Sequence, residues 1–234
     1  MTFTNLSAFC LDIKLNHQED EHQKMFDRIC QMLVKECPGL QKLCLSLEYF
    51  NPYRYLRLSY SNFSRILEGK WPQLRNLTLN GAIDLFEDDE DEEKNTSIIC
   101  NFFQTTVLLE SLHLGVNIPK ISSYDLLPNL SSLVLPDTTS PSRIVSPKMA
   151  RRLRYLGTLN LGISPRRLGF PIPLLRSMTS LQSVAVTCPC EASIAKLSDA
   201  APQLERIYFI LSPDTENIDF KTAVCAIIRS HDVS

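Results

Sequence analysis

The sequence has few of the features that would indicate a membrane protein or a cofactor-dependent enzyme. No apolar run approaches the roughly 20 residues that a transmembrane helix needs. The N-terminus lacks a basic segment followed by an apolar block, so no signal peptide is predicted. Only seven glycines are present, and none forms a phosphate-binding G-x-G-x-x-G or G-x-x-x-x-G-K motif. We therefore expect a cytoplasmic or nuclear protein with no membrane partner and no cofactor.

Candidate catalytic residues are equally sparse. Nucleophilic catalysis needs a base beside the nucleophile, and the sequence has four histidines. Only His113 is expected on the outward face of a strand, and nothing orients it toward Cys44 or Ser111. Paired carboxylates occur mainly in the acidic run 87–93, where solvation and mobility place an acid–base pair poorly. The sequence therefore predicts that the protein is not an enzyme and has no catalytic residues.

The eight cysteines do not form a metal-binding pattern. Several, such as Cys30 and Cys225, fall within apolar patterns, where a free thiol acts as a small apolar group. Cys188 and Cys190 have CxC spacing, but no second pair of Cys or His completes a four-ligand zinc site. Without a secretory signal we expect reduced thiols and no metal.

The sequence is rich in one repeated pattern, L-x-x-L-x-L or a close apolar variant. It occurs eight times, starting at residues 6, 40, 74, 109, 130, 156, 181 and 204. The later spacings, 21 to 26 residues, match leucine-rich repeats, whereas the first three, 34 or 35 residues, are lengthened by insertions. The lead-ins CPGL, WPQL, LPNL and APQL each contain a proline, which ends the preceding helix or turn. The pattern therefore predicts a series of repeats, each of which contains one strand.

The repeats predict the fold class. The apolar residues of each repeat point inward and the residues between them point outward. One repeat cannot bury its own apolar face, so stacked neighbours form a continuous core. We predict a single α/β leucine-rich-repeat solenoid over residues 1–234, with about eight irregular repeats. Its parallel sheet is expected to be curved, with helices and turns on the convex side.

Three segments are predicted to fall outside the repeats. Residues 19–36 and 218–230 are expected to form capping helices. The first should place Met25, Phe26, Ile29 and Leu33 on one face, at helical spacing. The acidic segment 84–95 is predicted to be a disordered insertion, because like charges repel one another and stay solvated.

Four segments carry a resemblance to a known family: CPGLQKLCL, WPQLRNLTL, LPNLSSLVL and APQLERIYF. They resemble the irregular leucine-rich repeats of F-box proteins, especially the fungal ones, and the resemblance extends from Leu6 to about Arg229. In that family an N-terminal F-box binds the Skp1-type adaptor of a ubiquitin ligase, and the repeats capture the substrate. The resemblance implies a substrate-recognition module that binds a protein. No F-box-like segment precedes the first repeat, so we do not expect the adaptor to bind.

The outward positions of the repeats are the predicted partner-binding surface. They are mostly small and neutral, which permits close approach of another protein but supplies few of the large anchors found in hot spots. The predicted partner-binding residues are Lys42, Ser46, Asn76, Asn80, His113, Asn160, Arg206 and Tyr208. We expect a monomer that binds a protein of unknown identity. A stand-alone scaffold or competitor without a ligase link is the alternative.

The charges are divided unevenly along the chain. Split after residue 117, the two parts carry net charges of −6 and +4, and no Asp or Glu lies between Thr138 and Cys190. Guanidinium groups suit bidentate anions, which makes a phosphate sensor a further alternative. Its candidate anion-binding residues are Arg151, Arg152, Arg154, Arg166 and Arg167. We do not expect a nucleic-acid partner, because no motif is present and the pI is about 6.1.

Overall fold

The architecture consists of parallel strands that follow one another in chain order. The computed structural model describes residues 5–15, 19–49, 65–84, 92–117, 124–135, 144–160, 172–187 and 197–210. The strands are β1 (Ala8–Leu15), β2 (Lys42–Tyr49), β3 (Asn76–Asp84), β4 (Ser111–Asn117), β5 (Ser132–Val134), β6 (Tyr155–Asn160), β7 (Ser183–Thr187) and β8 (Arg206–Ile210). The helices are α1 (Glu19–Glu36), α2 (Glu92–Thr105), α3 (Pro147–Ala150) and α4 (Ile172–Ser177), with a 3₁₀ turn at Tyr124–Leu126. Residues 65–68 and 197–200 are also helical.

The chain forms two compact units, Met1–Leu130 and Ser131–Ser234. In the first unit, β1, β2, β3 and β4 pair in parallel. In the second unit, β5, β6, β7 and β8 do the same. Parallel neighbours in chain order, joined by helices or turns, are the arrangement that stacked repeats produce. The predicted α/β leucine-rich-repeat fold is confirmed.

The leucines that define the repeats form the core of each unit. In the middle of the first unit, Leu43, Leu77 and Leu112 are adjacent across three strands and are fully buried. In the second unit, Leu156 and Val184 occupy the corresponding positions and are also fully buried. Each fully buried side chain of this size contributes roughly 1.5–3 kcal/mol through removal of apolar surface from water.

A turn that is closed by one hydrogen bond leads into most of the repeats. The first leucine of the repeat donates its N–H to the carbonyl three residues earlier, at 3.0–3.3 Å. The pairs are Leu40 to Cys37, Leu74 to Trp71, Leu109 to Thr106, Leu130 to Leu127, Leu181 to Met178 and Leu204 to Ala201. Proline suits the second position of such a turn because its φ is already fixed there. This explains the recurring proline of the lead-ins.

A shared carbonyl then sets the register between successive strands. The carbonyl of Gln41 accepts the N–H groups of Arg75 and Asn76, at 2.8 and 3.0 Å. The carbonyl of Arg154 does the same for Gln182 and Ser183, at 2.9 and 3.0 Å. The same arrangement recurs at the carbonyls of Ser7, Arg75, Ser131 and Gln182. Within each unit, the backbone of one repeat is thus fixed to the next one where the strands begin.

The sixth repeat begins three residues earlier than the sequence pattern predicted. The sequence pattern predicts that the sixth repeat starts at Leu156. In the structure Leu156 lies opposite Leu133, which is the fourth residue of the fifth repeat, so Leu156 is also a fourth residue. Leu153 is therefore the first apolar residue of the sixth repeat, and it is fully buried. A register shift between Leu156 and Leu159 absorbs one additional residue. The shift changes the pairing of β6 with β7 after Leu156.

The apolar face of α1 also differs from the prediction. Phe26, Cys30 and Leu33 are fully buried, whereas Met25 is 43% exposed and Ile29 is half-buried. The buried stripe therefore starts one residue later than expected. The helix connects β1 to β2 in the chain.

The predicted acidic insertion overlaps two described elements. Asp84 ends β3, and residues 92–95 are helical because they open α2. The intervening residues 85–91 and the predicted helix 218–230 lie outside the described residues.

Candidate functional site

The first unit places five of the predicted partner-binding residues on one face of its sheet. Lys42 lies opposite Asn76, and Ser46 lies opposite Asn80. His113 on β4 lies opposite Thr78 on β3. Lys42 is exposed and the other four predicted residues are half-buried. Their side chains are small or medium-sized, so this face offers hydrogen-bonding groups without a large anchor.

Gly115 creates space for one of these side chains. A Cβ atom at this position would overlap the side-chain oxygen of Asn80, on the neighbouring strand. Glycine therefore allows the Asn80 side chain to lie across β4.

The described cysteines are free, and burial suppresses the reactivity of Cys30 and Cys44. Burial, with Asp27 as a second cause, raises the pKa of Cys30 to about 12. Burial and a hydrogen bond with Cys10 raise the pKa of Cys44. Thiolate is the reactive form of cysteine, so these groups serve packing, as the sequence indicated for Cys30. No group of three metal-binding side chains occurs in the described ranges, and Cys188 and Cys190 lie outside them.

His113 should make the stability of the protein depend on pH. Burial lowers its pKa below the usual value of 6.5. As pH falls through that value, the unfolded chain takes up a proton before the folded protein does, so stability is lost. We expect the wild-type melting temperature to fall more than that of His113→Gln between about pH 7.5 and 5. Equal decreases in the two melting curves would show that His113 is not held neutral by the fold.

A different kind of surface lies on the second unit. It is a depression of about 410 Å³ at the beginning of β6, β7 and β8. The lining residues are Arg154, Tyr155, Gln182, Ser183, Arg206 and Tyr208. We call this surface the tyrosine–arginine depression. Tyr155, Ser183 and Arg206 lie opposite one another on adjacent strands, which brings their side chains to the same face. Of the predicted residues, Arg206, Tyr208 and Arg154 are brought together here.

The two tyrosine rings are positioned by contact with each other and with small residues. Their centroids are 6.2 Å apart at an interplanar angle of 71°, an edge-to-face arrangement. A Cβ at Gly157 would lie 3.1 Å from the Tyr155 hydroxyl oxygen, so glycine makes room for this ring. Tyr208 lies opposite Ala185, another small residue. Burial and the neighbouring Tyr208 raise the pKa of Tyr155, which keeps its hydroxyl protonated.

The charged groups of the depression are accessible. Arg154 and Arg206 are both exposed, and in the described part of the chain neither guanidinium forms an ion pair. The carboxylate of Glu205 accepts a hydrogen bond from the side-chain amide of Gln182, at 3.5 Å. The depression thus combines aromatic walls with two unpaired cations, which are the side chains that dominate binding hot spots.

Among the described residues, Arg151 and Arg152 are not part of the lining of this depression. Arg151 is exposed and Arg152 is half-buried, where the chain leaves α3. Arg166 and Arg167 lie outside the described residues. The backbone of Asn160 lies opposite Thr187 at the end of β6. Of the described arginines in the predicted anion site, Arg151, Arg152 and Arg154, only Arg154 lines the depression.

The sequence prediction missed Tyr155, Gln182 and Ser183 as lining residues. Tyr155 was overlooked because the predicted register placed it before the sixth repeat. The segment LRYL, which begins at Leu153, was the available signal. In the structural register Tyr155 is the third residue of its repeat, and Ser183 and Arg206 hold that position in theirs.

A second depression, of about 430 Å³, lies on α1. Its lining is formed by Lys24, Met25, Arg28, Ile29 and Met32. The apolar members are spaced at four and three residues, so they form a stripe beside the buried one. Of these lining residues, Met25 and Ile29 were predicted to share a helical face with Phe26 and Leu33.

One solved structure is similar to the chain at low sequence identity. The chain is similar to the leucine-rich repeat-containing protein LegL7 from Legionella pneumophila, at 14% identity and a TM-score of 0.47. The similarity covers 95% of this chain and 72% of that one. No protein-family model and no curated protein matches the chain. Among the described helices, none is long and apolar enough to span a membrane.

Proposed function

We propose that the protein is a protein-interaction module that binds its partner through the tyrosine–arginine depression. Stacked repeats present extended surfaces that typically bind other proteins. The observation that supports this site is the grouping of Tyr155, Tyr208 and Arg206, since Tyr and Arg are enriched in hot spots. The outward face of the first unit, with its small polar groups, would contribute contacts around such an anchor without dominating affinity.

The accessibility of Tyr208 favours this surface further. The Tyr208 side chain is 47% exposed. Among the described residues, the other large apolar side chains that are exposed are Met25 and Val107. Its ring is held by the edge-to-face contact with Tyr155. A ring that is already positioned loses little conformational freedom on binding, which favours affinity.

The proposal extends to a role like that of the substrate-capturing repeats of F-box receptors, which the four repeat segments resemble. In such a role the partner is a substrate protein, and ligase recruitment requires a Skp1-type adaptor. A stand-alone scaffold would bind the same partner without any adaptor. Recovery of the adaptor together with the partner distinguishes the first role from the second.

The test is quantitative capture from an extract of cells that express the protein, with tagged wild-type chain and single variants compared by mass spectrometry. We expect Tyr155→Ala and Tyr208→Ala to reduce recovery of the specific partner by roughly 30-fold, the effect of truncating one hot-spot residue. Val107→Ala is the matched control because Val107 is 46% exposed on the other unit. Met25→Ala tests the flank of α1 as a rival surface.

The variants give opposite results for the two surfaces. Loss of the partner with the tyrosine variants and retention with Met25→Ala supports the depression. Loss with Met25→Ala and retention with both tyrosine variants would assign binding to α1 and overturn the proposal. Circular dichroism of each variant confirms that the fold is retained.

A further inference from the structure

Helix α1 carries a second interaction surface on the side that the core does not cover. We propose that this surface binds an amphipathic helix of another protein, whose apolar residues are flanked by carboxylates. We call it the α1 groove, and it is the depression lined by Lys24, Met25, Arg28, Ile29 and Met32. It lies on the first unit, whereas the proposed function concerns the second unit.

The shape of the α1 groove is that of a helix-packing site. Residues four apart on a helix form ridges along its surface, with grooves between the ridges. Lys24, Arg28 and Met32 form one such ridge, and Met25 and Ile29 form the next. Both ridges line the depression of about 430 Å³. Because helices pack by inserting the ridges of one into the grooves of the other, this surface can accept a helix.

The α1 groove faces away from the following repeat. Asp27 of α1 forms an ion pair with Arg65, at 3.0 Å between Oδ2 and Nη1, and Arg65 belongs to the helical segment that follows β2. Met25 and Ile29 are each two residues from Asp27, so they lie about 160° around the helix from it. The following repeat thus covers one side of α1 and leaves the opposite side accessible.

The first strand is incompletely covered as well. Phe9 and Leu11 lie opposite Leu43 and Leu45, and so hold the same apolar positions of the repeat. Leu43 and Leu45 are fully buried, whereas Phe9 and Leu11 are half-buried. In stacked repeats a neighbour on each side covers the apolar layer, and among the described strands β1 pairs with β2 alone. A helix bound in the α1 groove would supply apolar surface at this end of the first unit.

The charge beside the groove selects an acidic helix. Lys24 and Arg28 are exposed, and within the described part of the chain neither forms an ion pair. The described acidic side chains of α1, Asp27 and Glu36, already take part in ion pairs with other residues. Arg28 lies in the groove about two turns beyond the acidic residues 19–21. We therefore expect Arg28 to be the main contact for a carboxylate of the partner.

The other wall of the groove suits a protein rather than a small anion. Met25 is 43% exposed, and Ile29 and Met32 are half-buried. The unbranched side chain of methionine adapts its shape to an incoming apolar surface. A ligand that satisfies both walls must combine apolar side chains with a carboxylate beside them, which an amphipathic helix does.

The charges disfavour two other occupants. A second copy bound through the same groove would bring its own Lys24 and Arg28 to the contact, and like charges repel. An anionic membrane extends over much of the protein surface, so it would also meet the net charge of −6 on residues 1–117. A short helix that touches only the groove meets the local cations.

Fluorescence polarisation of the purified full chain with designed peptides tests the α1 groove. The labelled probes are pools of 18-residue helical peptides with Leu, Ile or Met at positions i, i+4, i+7 and i+11. Three pools carry Glu, Gln or Lys at the positions beside this apolar stripe. We expect the Glu pool to bind roughly tenfold more tightly than the Lys pool, because each exposed charge pair changes from attraction to repulsion.

Variants of the chain locate the binding. Arg28→Glu should weaken binding of the Glu pool by roughly tenfold and strengthen binding of the Lys pool by a similar factor. Met25→Ala should weaken binding of the Glu pool by roughly fivefold, because it removes apolar contact. Arg176→Glu reverses a charge at an exposed position on α4 and is the matched control. Neither it nor Tyr208→Ala should change the binding.

Four results would overturn the assignment. The first two are equal affinities for the Glu and Lys pools, and an affinity for the Glu pool that Arg28→Glu leaves unchanged. The third is a wild-type dimer in analytical ultracentrifugation that Met25→Asp dissociates, which would assign the groove to a second copy. The fourth is binding to phosphatidylcholine–phosphatidylserine vesicles that Met25→Asp abolishes, which would assign it to a membrane.

The α1 groove and the tyrosine–arginine depression fail in distinguishable ways. Binding of the Glu pool through Arg28, together with capture of the cellular partner that depends on the two tyrosines, supports both surfaces. Capture that is lost only with Met25→Ala overturns the proposed function and leaves the α1 groove supported by the peptide result. Failure of the Glu pool overturns the α1 groove whatever the capture experiment shows.

Discussion

Trp71→Ala is expected to lower the free energy of unfolding by about 3–5 kcal/mol, the cost of removing a large buried aromatic side chain. Trp71 is 1% exposed and is the only tryptophan of the chain. Its indole N–H donates to the carbonyl of Ile66 at 2.8 Å. Its own carbonyl closes the turn that leads into the third repeat, by accepting the N–H of Leu74. The substitution removes the packing that holds this turn against the core.

Gly69 makes room for the indole of Trp71. A Cβ atom at Gly69 would lie 2.6 Å from the indole nitrogen, so the glycine and the ring are fitted to one another. Trp71→Phe keeps an aromatic ring and should cost less than Trp71→Ala. Urea denaturation followed by far-ultraviolet circular dichroism measures both, since the variants have no tryptophan fluorescence. A change of less than about 1 kcal/mol in Trp71→Ala would contradict the buried position of this residue.

Leu153→Ala is expected to lower the free energy of unfolding by about 2–5 kcal/mol. Leu153 is fully buried as the first apolar residue of the sixth repeat. Leu153→Met conserves the side-chain volume and should cost less than about 1.5 kcal/mol. The register predicted from sequence, which begins at Leu156, would leave Leu153 outside the repeat. If the repeat began at Leu156, Leu153→Ala would change the free energy of unfolding by no more than about 0.5 kcal/mol. The same urea titration therefore decides between the register that begins at Leu153 and the one that begins at Leu156.

The sequence pattern was sufficient to predict the fold because each repeat carries its own apolar residues. The repeat at Leu40 and the repeat at Leu74, for example, place Leu43 and Leu77 on adjacent parallel strands. The lead-in prolines also marked turns that the structure contains. These signals are local, so they survive variation in the length of the segments between repeats.

The sixth repeat shows where periodicity becomes ambiguous. In the segment LRYLGTLNL, both Leu153 and Leu156 begin an L-x-x-L pattern. The choice between them depends on pairing with β5, where Leu133 lies opposite Leu156. A single sequence does not contain that pairing. The error of three residues was enough to hide Tyr155 from the predicted site.

Helix α1 was ambiguous for a similar reason. The apolar residues Met25, Ile29 and Met32 have helical spacing, and so do Phe26, Cys30 and Leu33. Both stripes satisfy the helical period, and only packing selects the second for burial. The position of the tyrosine rings in the tyrosine–arginine depression likewise depends on packing, since Gly157 makes room for the Tyr155 ring and Tyr208 lies opposite Ala185.

The most direct test of binding through the depression is isothermal titration with the partner that the capture experiment identifies. The wild-type chain is compared with Tyr155→Ala, Tyr208→Ala and the control Val107→Ala. We predict a Kd that rises by roughly 30-fold in each tyrosine variant and stays unchanged in the control. Equal Kd values for all four proteins would contradict the assignment of partner binding to the tyrosine–arginine depression.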